Sequence, residues 1–132
     1  MGGILIVDDN ANIRALLRTA LETRADLKIA GEAANGVEAI ERARELLPDL
    51  VLMDLSMPVL EGSVAAAYLK RHMPRTKVVL FTLHVDVLPR NLQPSTGVDL
   101  LIPKTDDIRQ LPERLTRLLA SDQPAAAVSG SK

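Results

Sequence analysis

Carboxylates follow two apolar runs of this 132-residue chain, and their placement points to chemistry. Asp8 and Asp9 come directly after the apolar residues 4–7, and Asp54 comes directly after residues 50–53. Short, continuous apolar runs are typical of buried parallel strands, whose carboxyl ends meet at one edge of a sheet. Ligands that are all oxygen, with no histidine or cysteine among them, favour Mg²⁺ or another hard cation. The three carboxylates therefore predict a cation site.

Two further apolar runs also end in polar residues, Thr82 and Lys104. A carboxylate beside a bound cation can attack phosphorus and give an acyl phosphate. A lysine supplies a point charge to a phosphoryl oxygen, and a threonine hydroxyl supplies a neutral hydrogen bond. Taken singly, Asp8 and Asp9 could cap a helix, and Thr82 could be an ordinary β-forming residue. The five residues together favour phosphoryl chemistry at Asp54.

The apolar pattern predicts five strands that alternate with helices. The strands are predicted at residues 4–7, 27–30, 50–53, 77–81 and 98–102, and the helices at 12–21, 37–47, 61–72 and 106–120. Such alternation indicates an α/β fold with a doubly wound parallel sheet. In the strand order 2-1-3-4-5, ligands bind where the order reverses, between strands one and three. Those are the two strands that precede Asp8 and Asp54.

Local signals position the first two helices. Ile13, Leu16, Leu17 and Leu21 recur at helical spacing, with Arg14 and Arg18 predicted on the other face. Asn10 or Asn12 could supply the N-cap. In the second helix Val37, Ile40, Ala43 and Leu47 form the apolar series, and Pro48 stops it.

The composition excludes several classes of function. A net charge of −1 argues against a dedicated nucleic-acid binder, and the absence of cysteine excludes disulfides and zinc thiolate sites. No apolar run approaches the roughly 20 residues that cross a bilayer, so we expect a cytoplasmic protein that does not contact membranes. Residues 1–120 are predicted to form one domain, and residues 121–132 a flexible tail.

The chain resembles the receiver domains of two-component response regulators, over residues 4 to about 119. The matching residues lie in five segments in order: 4–9, 48–58, Gly62, 81–82 and 103–104. The pattern is most similar to receivers that precede helix-turn-helix transcription regulators. The resemblance implies a flavodoxin-like fold with five helices.

By the same resemblance, Asp54 is the phosphoacceptor, and Asp8 and Asp9 hold Mg²⁺ directly or through water. The main-chain carbonyl of Ser56 is a further metal ligand. Lys104 contacts the phosphoryl group, and Thr82 couples the site to the face formed by the fourth helix, fifth strand and last helix.

The partners implied are a sensor histidine kinase or phosphotransfer protein as donor, and an unidentified output protein. Direct binding of nucleic acid is not expected. A homodimer could form through the same face of fourth helix, fifth strand and last helix. The chain is not expected to be an enzyme beyond Mg²⁺-dependent self-phosphorylation and dephosphorylation at Asp54.

The chain departs from the family pattern around the threonine and on the output face. Leu101 stands where an aromatic residue is usual, and Leu83 where a small residue is usual. His84 and Ser56 occupy the two variable positions that flank the phosphoryl group, where they could modulate its lifetime. The remaining departures are prolines: Pro89 and Pro94 in the fourth helix (residues 86–96), and Pro112 in the last.

Proline in a helix interior costs about 3 kcal/mol or more. The fourth helix is therefore predicted to be short or irregular. The last helix either begins at Pro112 or is kinked there.

Two competing hypotheses follow. A degenerate receiver would keep the fold and act as a protein-interaction module without phosphorylation, as the divergent output face would suggest. An unrelated hydrolase on a flavodoxin-like sheet is weaker, because no general base other than the carboxylates is evident.

Overall fold

Five parallel strands form one sheet at the centre of the protein. The structure is a computed structural model that describes residues 3–54, 62–82, 99–103 and 108–120. The strands are β1 (Ile4–Val7), β2 (Ile29–Ala33), β3 (Leu50–Asp54), β4 (Lys77–Thr82) and β5 (Leu100–Pro103). Their order is β2-β1-β3-β4-β5, so the predicted topology is confirmed.

Four α-helices connect and cover these strands within the described ranges. They are α1 (Ala11–Leu21), α2 (Gly36–Leu46), α3 (Gly62–His72) and α4 (Leu111–Ala120), and a 3₁₀ turn at Ile108–Gln110 leads into α4. The predicted fourth helix, at residues 86–96, lies outside the described residues. None of the described helices is long and apolar enough to cross a membrane.

Alternate residues of each strand face two separate hydrophobic cores. On one face Leu5, Val7, Val51 and Met53 pack with α2 and α3. On the other, Ile4, Ile6, Leu50 and Leu52 pack with α1 and α4. A strand buried on both faces is apolar at every position, because successive side chains point to opposite sides. This explains why β1 and β3 were recognisable as continuous apolar runs.

The register brings the carboxyl ends of the strands level. Val7 of β1 lies beside Met53 of β3, so the next residues along, Asp8 and Asp54, emerge from adjacent strands. Asp54 pairs in turn with Phe81 of β4. Thr82 then pairs with Pro103 of β5, directly before Lys104. The edge of the sheet therefore collects the ends of β1, β3, β4 and β5.

The second strand begins two residues later, and ends three residues later, than the sequence predicts. The sequence suggested residues 27–30, whereas β2 runs from Ile29 to Ala33 at the edge of the sheet. Gly31 and Glu32 are weak β-formers, which obscured the true end of the strand. A Cβ on Gly31 would lie 2.8 Å from Cδ1 of Leu46, so a larger residue would require the Leu46 side chain on α2 to shift.

Two helices also differ in detail from the prediction. Asn10, rather than Asn12, caps α1, and its Oδ1 accepts hydrogen bonds from the backbone N–H groups of Asn12 and Ile13. Leu16 and Leu47 are exposed instead of packing into the core. Leu47 lies just past the end of α2 in a left-handed conformation, with φ of 50°.

The last helix begins at Leu111 and is not kinked at Pro112. Pro112 lies in the first turn of α4, where the backbone N–H has no partner within the helix and proline is tolerated. The fifth strand was predicted at residues 98–102, and the structure begins it later, at Leu100. Asp99 before it is buried.

A buried ion pair joins α3 to the amino ends of β4 and β5. Lys70 Nζ lies 3.0 Å from Asp99 Oδ2, and it also donates to the carbonyls of Thr76 and Pro74 at 2.9 and 3.1 Å. The same Asp99 oxygen accepts a hydrogen bond from the backbone N–H of Val78 at 2.8 Å. This contact fixes the sheet at the end opposite to the carboxylates.

We predict that Lys70→Met destabilises the fold by roughly 3 kcal/mol, because it leaves the buried Asp99 carboxylate without its cation. Urea denaturation measures the loss. Glu113→Gln is the matched control, since it removes the exposed Arg117–Glu113 pair on α4. That pair should contribute no more than about 1 kcal/mol. Equal effects of the two variants would contradict the structural role of Lys70.

Candidate metal site at the carboxyl edge of the sheet

Asp8, Asp9 and Asp54 meet at the carboxyl edge of the sheet, as the sequence predicted. One carboxylate oxygen from each lies within 4.8 Å of the other two. Asp8 and Asp54 are 1% and 5% exposed, whereas Asp9 is open to solvent. The site therefore has two buried carboxylates and one that faces the water from which a cation would arrive.

The three carboxylates repel one another. Two unit charges 4.8 Å apart repel by roughly 3.5 kcal/mol at an effective dielectric constant of about 20, and by less where a charge meets solvent. The fold opposes this repulsion because β1 and β3 are adjacent, buried strands. A divalent cation at this point would turn the repulsion into attraction, and the all-oxygen donor set suits Mg²⁺.

Hydrogen bonds hold Asp8 at the end of β1. Its backbone N–H donates to the carbonyl of Ala33 on β2 at 3.1 Å. Its Oδ1 accepts from the backbone N–H of Asn10 at 2.8 Å. Its carbonyl oxygen accepts from Arg14 Nη1 at 2.6 Å. The turn into α1 is thus tied to the edge strand on one side and to the helix on the other.

A carboxylate that the sequence did not single out supports this turn from β2. Glu32 accepts hydrogen bonds from Arg14 Nε at 2.9 Å and from Arg18 Nε at 2.8 Å. The prediction placed both arginines on the face of α1 opposite its apolar residues, with no partner assigned. Their spacing of four residues was the available signal, since it aligns them on one side of the helix.

The arginines lower the pKa of Glu32 below its ordinary value of 4.5. The hydrogen bond from Arg18 is the largest cause, partial burial opposes it, and the bond from Arg14 adds to it. The same contact raises the pKa of Arg18. Glu32 and Arg18 are therefore both charged at neutral pH.

Of the other predicted site residues, two lie within the part of the chain that the structure describes. Thr82 ends β4 and Leu101 lies within β5, so their backbones are at the predicted edge and strand. Ser56, Leu83, His84 and Lys104 lie outside the described residues, and their roles stay predictions.

Comparison with known proteins shows the family to which the chain belongs. Residues 4–116 match the response regulator receiver domain. The chain belongs to the response regulator receiver family. The match covers the whole α/β sheet, including both strands that carry the carboxylates.

Curated relatives extend beyond the receiver. The chain is 34% identical over 114 residues to the response regulator protein VraR of Staphylococcus aureus, which covers 86% of this chain and 54% of VraR. The chain therefore spans about half the length of the curated relatives it matches.

Solved receiver structures share the fold. TrrA of Thermotoga maritima, solved in complex with Mg²⁺ and beryllium fluoride, is 30% identical with a TM-score of 0.77, over 89% of this chain and 99% of that one. A LuxR-family DNA-binding response regulator of Staphylococcus aureus is 21% identical with a TM-score of 0.80, over 90% and 99%. At that lower identity the likeness concerns the fold alone.

We predict that Asp9→Asn raises the free energy of unfolding by about 1 kcal/mol when divalent cations are removed with EDTA, because it relieves repulsion at the site. Urea denaturation at low ionic strength measures the gain, which should shrink in high salt. Glu41→Gln removes the same charge from the exposed face of α2 and should change stability by less than about 0.5 kcal/mol. A loss of stability in Asp9→Asn would contradict the repulsion.

A second prediction concerns pH and Glu32. Because folding lowers its pKa, Glu32 stabilises the fold fully above its ordinary value of 4.5, and this contribution is lost as pH falls through the lower, folded value. Glu32→Gln should therefore cost about 1 kcal/mol at pH 7 for this partly exposed group. The difference from wild type should vanish in acid.

Urea denaturation across this pH range measures the difference. Glu22→Gln is the control. Glu22 also pairs with Arg18, but its side chain is exposed and its Oε2 lies 3.4 Å from Arg18 Nη1. A cost of Glu32→Gln that persisted unchanged in acid would show that packing, and not charge, is responsible.

Proposed function

We propose that Asp54 of this receiver domain accepts a phosphoryl group in a Mg²⁺-dependent reaction. The observation that carries the proposal is the approach of three carboxylate oxygens to within 4.8 Å at the ends of two adjacent strands. Evenly spread surface carboxylates would minimise repulsion, so their concentration here favours a bound cation. The complex of the related TrrA with Mg²⁺ and beryllium fluoride supports the same assignment.

The residues fit Mg²⁺ well. Mg²⁺ in proteins is usually bound by one or two carboxylates and retains several waters. Asp54 would hold the ion together with Asp8 and Asp9, which would act directly or through water, and the Ser56 carbonyl would be a further ligand. Bound Mg²⁺ would screen the charge on Asp54 and on the incoming phosphoryl oxygens.

The chemistry at Asp54 is a phosphoryl transfer. A carboxylate oxygen of Asp54 forms a bond to phosphorus as the bond from phosphorus to the donor breaks, and the donor leaves with the electron pair. Burial of Asp54 keeps competing water away from the acyl phosphate. Lys104 would offset charge on the phosphoryl group, and Thr82 would donate a hydrogen bond to it. The chain performs no other catalysis in this proposal.

The donor is proposed to be a sensor histidine kinase or a phosphotransfer protein, as membership of the receiver family suggests. The output is proposed to be protein–protein interaction, since this segment has a net charge of −1 and few features of a nucleic-acid surface. The match to this chain covers 54% of VraR, so VraR carries further sequence outside the matched part.

A degenerate receiver is less well supported. A vestigial site would have no reason to keep Asp8 and Asp54 buried side by side, because unneeded buried carboxylates are costly. The departures at Leu83 and Leu101 concern the switch and not the acidic site.

We expect acetyl phosphate with Mg²⁺ to add one phosphoryl group to the full chain, detected by intact mass and placed on Asp54 by peptide mapping. EDTA should abolish the modification, because the carboxylates then repel the donor. Asp54→Asn should remain folded and unmodified.

Asp49→Asn provides the matched control. Asp49 lies at the other end of β3, where its Oδ2 accepts from the backbone N–H of Gly3 at 3.1 Å. This variant should be phosphorylated like wild type. Failure of the folded wild-type chain to react, or equal labelling of Asp54→Asn, would overturn the assignment.

A further inference from the structure

Arg14 connects the acidic site to the edge strand. From the first turns of α1, its Nη1 donates to the carbonyl oxygen of Asp8 at 2.6 Å, while its Nε donates to Glu32 on β2 at 2.9 Å. The Arg14 side chain is 18% exposed and that of Glu32 is 31% exposed. A guanidinium presents several donors in a rigid fork, so one arginine can hold two acceptors in a fixed relation.

The bond to Asp8 restrains the peptide that joins Asp8 to Asp9. The carbonyl oxygen of Asp8 and the N–H of Asp9 belong to one planar unit. Holding that plane limits rotation on both sides of it, and so limits where the two carboxylates can point. Asp9 gains most, because its exposed side chain has no surrounding core to position it.

Arg14 acts on the site mainly by fixing the position of the peptide between Asp8 and Asp9, and less through its positive charge. Arg14 and Arg18 share Glu32, and Arg18 also reaches Glu22 at 3.4 Å. The two arginines and two glutamates of this cluster therefore carry no net charge when seen from the carboxylates. Metal sites commonly depend on such outer contacts, which orient the ligands without touching the ion.

We propose that Arg14 is a positioning residue for the divalent cation site, with Glu32 holding Arg14 in place. The role rests on the proposed function, since it requires that Asp8, Asp9 and Asp54 bind Mg²⁺. It assigns the ion pairs between α1 and β2 to the metal site and not only to fold stability.

Arg18 offers a matched comparison on the same helix. Its Nε bonds the other carboxylate oxygen of Glu32 at 2.8 Å, and its Nη1 reaches Glu22 at 3.4 Å. It stands one turn further from the acidic turn, and the hydrogen bonds described for it reach glutamates rather than Asp8. Removal of Arg18 disturbs the Glu32 pair but leaves the bond to the Asp8 carbonyl.

Titration calorimetry of the full chain with MgCl₂ tests the proposal. Arg14→Met should weaken Mg²⁺ binding about tenfold, the lower end of the effect of removing outer contacts at metal sites. Arg18→Met should change it less than about twofold, because the bond from Arg14 to the Asp8 carbonyl remains. Arg14→Lys should partly restore binding, since an ammonium can reach the carbonyl but cannot bridge both acceptors.

The backbone amide signal of Asp9 in NMR spectra without metal gives a second, structural readout. It should shift or broaden in Arg14→Met and stay unchanged in Arg18→Met. Should Arg14→Met fail to fold, the pair Arg14→Lys and Arg18→Lys carries the same comparison, with weaker binding expected only in the first.

Two results would overturn the proposal in distinguishable ways. If wild type fails to bind Mg²⁺, the proposed function falls and the role of Arg14 falls with it. If wild type binds Mg²⁺ but the Arg14 variants match it, or weaken binding no more than the Arg18 variants, only the role of Arg14 falls.

Discussion

Repulsion among three carboxylates is the constraint around which this receiver domain is organised. Asp8 and Asp54 are buried beside each other because they end adjacent parallel strands, and Asp9 adds a third charge within 4.8 Å. The strands supply apolar residues to two cores, so the sheet is well anchored on both faces. The stability of that sheet holds the three carboxylates together against their mutual repulsion.

The two ends of the sheet differ in how their charged residues are arranged. The turn after β1 is restrained by the Ala33 carbonyl, by the cap of α1 at Asn10, and by Arg14. At the opposite edge, Lys70 and Asp99 form a buried pair that ties α3 to β4 and β5. One end of the sheet therefore brings three carboxylates together, and the other end pairs opposite charges.

Much of this could be predicted from the sequence, because β1 and β3 are fully buried and each stops at carboxylates. The meeting of Asp8, Asp9 and Asp54 followed from that pattern together with the strand order of the receiver domains that the chain resembles. What periodicity could not predict was pairing between elements. It marked Arg14 and Arg18 as a polar face without revealing Glu32, and it grouped Leu16 and Leu47 with the apolar residues of their helices although both are exposed. Burial depends on which neighbour covers a face, which a single helix does not encode.

The central claim is that the carboxylate cluster holds one divalent cation. Crystals soaked in Mn²⁺, which takes oxygen ligands as Mg²⁺ does, would show the metal directly through its anomalous scattering. One strong peak is expected, bounded by the carboxylates of Asp8, Asp9 and Asp54, and it should be lost in Asp9→Asn. An ordered site with no peak among these carboxylates, at a Mn²⁺ concentration that labels other positions, would contradict it.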